Sequence, residues 1–239
     1  MNHKSFLNLS SVEITPGLSV RIPSVKEILE DETAYYNIVS ALTATPFQYM
    51  VQLDDMGIDY TQITDYDLFR ILFLSCISSD LSILFGDLDL SDFDSYTDSH
   101  NHTPVIYSPK NNIVIDQAVY RDLADVIRKM NLFEKTDHKP GNESARKYLL
   151  EKERKKQKRN AGKKPEPYLE KMVVALVNTS EFPYDYDTCM DLSIYRFQQS
   201  LRQIQRKISF DNTMIGVYAG TVDTSRLGNK DGLTWIPIH

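Results

Sequence analysis

The stretch from Ile194 to Ile208 constrains the fold more than any other part of this sequence. Large apolar side chains recur in it at alternating intervals of three and four residues, and these side chains are Ile194, Phe197, Leu201, Ile204 and Ile208. This spacing predicts a helix with an apolar seam along one side, while the arginines of the segment fall elsewhere. The seam must meet another helix. Because it covers only two heptads, a core helix of the same domain is favoured over an intermolecular coiled coil.

Signals for the starts of other helices occur along the chain. Ser24 and Glu27 form a capping-box pattern, in which each side chain satisfies a backbone N–H at a helix start. Pro after a cap residue is a second such signal, and short polar residues before an apolar run are a third. The predicted starts are Ser24, Thr45-Pro46, Thr64 with Asp67, Asp116 and Asn142.

Two short hairpins are also expected. Strand-like alternation surrounds Pro16-Gly17, and the apolar segments PVIYSP and NIVI flank the polar turn at residues 110–112. The acidic segment between them, residues 80–98, reads as a loop or a short strand. The expected fold class is therefore mainly α with small β-hairpins (α+β), with a helical layer plus N-terminal and central hairpins.

Composition suggests three segments. Residues 1–133 form an N-terminal helical domain with the hairpins, residues 134–164 form a linker and a basic helix, and residues 165–239 form a C-terminal helical segment with an irregular tail. Apolar residues make up 41% of the chain, which is enough to fill a hydrophobic core. The chain is therefore not expected to be disordered throughout. No window is long and apolar enough to span a bilayer, and the N-terminus lacks the apolar run of a signal peptide, so no signal-dependent export is expected.

Positive charge is concentrated in one segment. Residues 143–164 carry ten Lys or Arg and three Glu, so this segment has a charge of +7 and the rest of the chain a charge of −13. The segment could bind phosphates, an acidic protein surface, or only water. The acidity of the remaining chain opposes nucleic-acid binding, so an acidic protein partner or a contact within an assembly is favoured. The residues expected to bind are Lys152, Arg154, Lys155, Lys156, Lys158 and Arg159.

No residue pattern indicates catalysis or metal binding. Cys76 and Cys189 lack metal-ligand spacing and are expected to be reduced packing residues. The glycine-containing segment GVYAGT at residues 216–221 follows a helix and does not match a phosphate-binding loop. A Ser/His/Asp triad has no positioned base, and the pairs Asp54-Asp55 and Glu30-Asp31-Glu32 are interpreted as solvated helix faces. We therefore expect that the protein is not an enzyme.

Two clusters could attract a cation but do not form a recognisable site. The aspartates at positions 87, 89, 92 and 94 lack the residue order of a calcium-binding loop, so a solvated acidic loop is the favoured interpretation. These carboxylates could also bind a basic partner or the protein's own basic helix. His100 and His102 form an HxH pair beside Asp98 without an identifiable third ligand. No cofactor or metal is expected.

Several stretches together resemble phage tail-module proteins of Gram-positive bacteria, in particular tail assembly chaperones. They are SVKEILEDETAYYNIVSALTATPFQYMVQLDDMGID, VIDQAVYRDLADVIRKM, KPGNESARKYLLEKERKK and LSIYRFQQSLRQIQRKISFDNTMIGVYAGTVDTSRLGNKDGLTWI. The resemblance spans most of the chain but rests on no short diagnostic motif, and no site residues are carried over. It implies a protein without a cofactor that self-associates and coats the tape-measure protein through many weak helix-in-groove contacts.

The resulting hypothesis is a non-enzymatic phage assembly or structural protein. Its partners would be a phage tail or tape-measure protein, bound through the basic helix and through Ile194, Phe197, Leu201 and Ile204, with self-association as a further expectation. It would act in the host cytoplasm during assembly or remain associated with the virion, away from membranes. The alternative is a nucleic-acid-binding protein that acts through the basic helix of residues 143–164.

Overall fold

A computed structural model describes residues 5–98, 102–162, 167–223 and 233–236. A short 3-10 helix, Phe6–Asn8, precedes five strands: β1 Ser11–Thr15, β2 Leu18–Arg21, β3 Asp94–Thr97, β4 Pro104–Ser108 and β5 Ile113–Ile115. The described helices are α1 Val25–Glu30, α2 Glu32–Thr43, α3 Met50–Asp55, α4 Asp65–Cys76, α5 Ser82–Phe85, α6 Gln117–Asn131, α7 Glu143–Asn160, α8 Leu169–Val177, α9 Tyr186–Met190 and α10 Ile194–Tyr218. The predicted α+β class is confirmed.

Both predicted hairpins are present. Strands β1 and β2 pair antiparallel about Gly17, whose φ of 85° suits a residue without a Cβ. Strands β4 and β5 form the central hairpin, and β3 pairs with the other edge of β4 to give the order β3-β4-β5. The acidic segment therefore ends in a short strand, which was one of its two expected forms.

Most predicted helix starts are confirmed at the level of hydrogen bonds. Capping boxes precede α1 at Ser24 and α4 at Thr64, in each case completed by the acidic residue three positions later. The carboxylate of Asp116 accepts from two backbone N–H groups of α6, and the side chain of Asn142 accepts from the third residue of α7.

The predicted helix start at Thr45-Pro46 is wrong, because α3 begins only at Met50. The Thr45 backbone N–H donates to the side chain of Gln48 at 2.9 Å, and its hydroxyl donates to the backbone carbonyl of Thr136 at 2.6 Å. Residues 46–49 form turns in place of the first helical turn. The contact of the Thr45 hydroxyl with residue 136 is a tertiary contact that no local pattern reveals.

One large core joins early and late parts of the chain. It contains side chains of the β1–β2 hairpin and of helices α2, α4 and α6, together with Leu169 of α8 and Phe197 of α10. Backbone bonds also connect the two parts, since Val25 donates to the Leu192 carbonyl and Ile194 donates to the Pro23 carbonyl. The predicted segments 1–133, 134–164 and 165–239 remain a prediction about folding units. Side chains of the first and third segments share this core, whereas Leu150 of the second belongs to a separate apolar cluster.

Candidate interaction surfaces

Helix α7, the predicted basic helix, lies against α3. Leu150 is only 6% exposed and belongs to a second apolar cluster with Met50, Leu53 and Tyr60, and Leu149 packs at its margin. A helix with so few apolar positions is marginal by itself, so this contact holds it in place. The inward face follows helical spacing, because the partly or fully buried positions are 145, 146, 149, 150, 153, 154 and 157.

Ion pairs fasten the same face of α7. The Arg154 guanidinium lies 2.7 Å from the Asp54 carboxylate and 2.6 Å from that of Asp55. The hydrogen bonds that its guanidinium donates to the carboxylates of Asp55 and Asp54 raise the pKa of Arg154. The interpretation of Asp54-Asp55 as a merely solvated pair is therefore corrected, since these two residues receive a cation of the basic helix.

Arg146 makes a second connection near the start of α7. Its guanidinium lies 2.8 Å from Glu143 and 3.7 Å from Asp59 in the loop after α3. The pKa of Asp59 is lowered chiefly by hydrogen bonds from the backbone and side chain of Thr61, with a further contribution from Arg146. The carboxylates that receive the basic helix are thus at positions 54, 55 and 59.

The acidic cluster at positions 87–94 contacts the turn between β4 and β5. Asp89 forms an ion pair with Lys110 at 2.6 Å, and Asp92 accepts from the Ser108 hydroxyl and the Lys110 backbone. The hydrogen bond from Lys110 is the largest of the effects that lower the pKa of Asp89. These bonds fix the turn between β4 and β5, so the cluster closes the central hairpin.

The outward face of α7 carries what we call the basic ridge: Lys152, Lys155, Lys158 and Arg159, all exposed. Within the described part of the chain, Lys152, Lys158 and Arg159 form no ion pair, and Lys155 lies at 4.0 Å from Glu151. Tyr148, 65% exposed, lies at the start of the ridge. Of the six predicted binding residues, Arg154 faces α3 instead, and Lys156 pairs with Glu153 at 3.3 Å.

Helix α10 contains the apolar seam and is longer than the seam predicted. Ser193 caps it, and its 25 residues extend for about 37 Å. Ile194 and Phe197 are completely buried in the core, so they anchor the helix and are not available to a partner. Leu201 and Ile204 are partly buried against the same core.

Beyond its first turns, α10 leaves the core. None of the residues from 198 to 218, all of them described, is buried. Ile208, Ile215 and Tyr218 are 41%, 66% and 82% exposed. The sequence analysis missed the last two, although they continue the spacing of the seam past Asp211.

The expected sites for chemistry have the following environments. Burial raises the pKa of the Cys76 and Cys189 thiols, which is consistent with packing residues. His100 lies outside the described residues, and His102 has a left-handed backbone with φ of 54°. Among described residues, no group of three or more His, Cys, Asp or Glu side chains is placed to hold a metal ion.

An open cleft of about 980 Å³ lies where the first turns of α4 and α6 face residues 135–139. An ion pair between Lys135 and Asp65 spans it, and Arg128 and Asp125 lie on its α6 side. The cleft joins segments that are distant in sequence, so no linear pattern predicted it. Its acidic and basic groups are interspersed and define no single ligand chemistry.

Comparison with known proteins gives one result. Residues 156–237 match the family model described as YomV second domain, a phage-derived family. The match includes the end of α7 and all of α8, α9 and α10, which is less than half of the chain. Neither the curated proteins nor the solved structures contain a match. No described helix is long and apolar enough to cross a membrane. The similarity of this C-terminal part to a phage-derived family suggests a phage protein.

Proposed function

We propose that this chain is a non-catalytic phage assembly protein, and that it serves as a tail assembly chaperone for tape-measure or other tail proteins. The observation that carries the proposal is the course of α10, which leaves the core after Phe197 and presents large apolar side chains to solvent. Exposed apolar surface of this kind is typical of a binding face. The match to a phage-derived family model covers this helix and supports the phage setting.

The basic ridge on α7 is the proposed contact for an acidic segment of the tail partner. Its cations project away from α3, while Arg154 and Leu150 hold the helix from the other side. The ridge is therefore rigidly supported and free to bind. Charge complementarity of this type speeds association and selects partners.

The test is co-expression with the tape-measure protein encoded in the same phage or prophage genome. We expect the tape-measure protein to stay in the soluble fraction and to co-elute with this chain in gel filtration. Reversing the ridge charges at Lys152, Lys155 and Arg159 to Glu should reduce the recovered complex. A matched control reverses three exposed cations elsewhere: Lys26, Arg121 and Lys139.

The two outcomes are distinct. If the tape-measure protein sediments equally with and without this chain, the chaperone proposal is wrong. If a complex forms but the ridge and control variants reduce it equally, the assignment of the ridge is wrong and only the assembly role is supported.

A second candidate function, nucleic-acid binding, is favoured by three ridge cations that form no ion pair in the described residues, Lys152, Lys158 and Arg159, and by the exposed ring of Tyr148 beside them. Four ridge cations that each neutralise one phosphate of duplex DNA would give a slope of about −3.6 in log K against log salt concentration. A titration with duplex DNA and with single-stranded RNA measures this slope. No binding at about 50 mM salt would exclude this function.

A further inference from the structure

The spacing of the seam continues to the end of α10. After Ile208 the next positions at intervals of three and four are Asp211, Ile215 and Tyr218. We call the set from Leu201 to Tyr218 the distal seam: Leu201, Ile204, Ile208, Asp211, Ile215 and Tyr218. All but one of its members are apolar or aromatic, and the exposed fraction of these side chains increases from Ile208 to Ile215 and Tyr218.

We propose that the distal seam of one molecule binds the distal seam of a second copy of this chain, with the two α10 helices antiparallel. In proteins, most of the stability of a helix comes from the packing of its apolar face. In the described residues, the core covers this face only at its beginning, at Leu201 and Ile204. A facing helix supplies the missing contact by inserting its side chains between those of the seam.

Charge along the edges of the seam favours a second copy over an acidic or a basic partner. The flanking positions on one edge are Gln205 and Asn212, and those on the other are Lys207 and Met214. The Lys207 ammonium is paired with Asp211 at 2.7 Å within the same helix. The edges of coiled-coil helices select partners by charge, and these edges offer no unpaired charge for a highly charged helix to select.

The remaining cations of this part of α10 do not change that conclusion. Arg202 and Arg206 lie on the side of the helix opposite the seam, as their helical spacing requires. They stay in water when the seam is covered. Asp211 is then the one charged side chain in the seam itself, and its effect depends on the direction of the pair.

The position of Asp211 sets the antiparallel direction. In a parallel pair, Asp211 would face Asp211 of the second copy, and like charges in such a contact are unfavourable. In an antiparallel pair centred between residues 209 and 210, Asp211 faces Ile208 of the second copy. The same alignment places Ile204 opposite Ile215 and Leu201 opposite Tyr218.

The net charge of the chain supports the same direction. The whole chain carries −6, so two bodies placed side by side would repel each other. Antiparallel helices keep the bodies at opposite ends of the contact. The alignment also brings Gln205 near Asn212 of the second copy, and two neutral amides can exchange hydrogen bonds.

The first test is the mass of the full chain in solution, measured by light scattering coupled to gel filtration. We expect a dimer whose dissociation is strongly promoted by Ile215→Lys. Ser209→Lys adds the same charge to the same helix outside the seam, and it should leave the dimer intact. Circular dichroism melting checks that both variants are folded. A folded wild-type monomer at concentrations up to about 100 μM, where even a micromolar contact is populated, would overturn the proposal.

Disulfide trapping tests the direction in a Cys76→Ser background, in which the remaining Cys189 is buried. The double variant Ile204→Cys/Ile215→Cys should form an intermolecular disulfide. The single variant Ile215→Cys should not, because the two sulfurs would be separated by about 16 Å along the antiparallel helices. Crosslinking of the single variant would indicate a parallel pair and refute the arrangement. Neither test involves a phage protein, so a failure of the dimer is distinguished from a failure of the proposed chaperone function. In the dimer the second copy covers the distal seam, and the basic ridge remains as the contact for the tail partner.

Discussion

Replacement of Leu150 by Ala tests how α7 is held against the body of the protein. Leu150 is 6% exposed and is the only fully buried side chain of the helix, all of which is described. Leu to Ala changes in protein cores cost about 2–5 kcal/mol. Because the cluster with Met50, Leu53 and Tyr60 is small and lies at the edge of the molecule, we expect a value near the lower end.

Hydrogen exchange measured by mass spectrometry is the appropriate assay, since it follows α7 separately from the core. A loss of about 2 kcal/mol increases the opening equilibrium of α7 about 30-fold, and exchange of its amides should accelerate accordingly. Tyr148→Ala is the matched control, because this neighbouring ring is 65% exposed and makes little buried contact. Equal exchange of the α7 amides in the two variants would refute the idea that Leu150 holds the helix.

Three further predictions concern the core and its ionisable groups. Tyr35→Phe removes the hydroxyl that donates to Asn131 at 2.9 Å in a buried site, so urea unfolding should show a loss of about 1–2 kcal/mol. Glu32→Ala removes the carboxylate oxygen that accepts from two backbone N–H groups at the start of α8, and should lower the melting temperature, with a loss of about 1 kcal/mol as for other helix caps. Burial raises the pKa of Tyr36 and of Tyr120 from 10.0 to about 12, so folding favours the neutral rings. The contribution of these rings to stability should therefore be complete below pH 10 and fall between pH 10 and 12, by at most about 3 kcal/mol from Tyr120. Unfolding of Tyr120→Phe should depend less on pH across that range.

Local chemistry was sufficient to predict much of the secondary structure. Caps such as Ser24, Thr64 and Asp116 act on N–H groups within three residues of themselves, and the hairpin turns depend on residues in the turn itself. Thr45 shows the limit of such reasoning. Its hydroxyl could cap a helix, but it contacts residue 136, and a sequence pattern cannot weigh a partner that is ninety residues away.

Tertiary structure alone decided which sides of α7 and α10 are available to partners. The sequence determined that α7 is basic and that α10 has an apolar seam, because charge and helical spacing are local properties. It did not determine that Arg154 faces Asp54 and Asp55, or that the seam is covered at Phe197 and uncovered at Ile215. Coverage depends on where the other elements end in space, and that follows from the packing of the whole core.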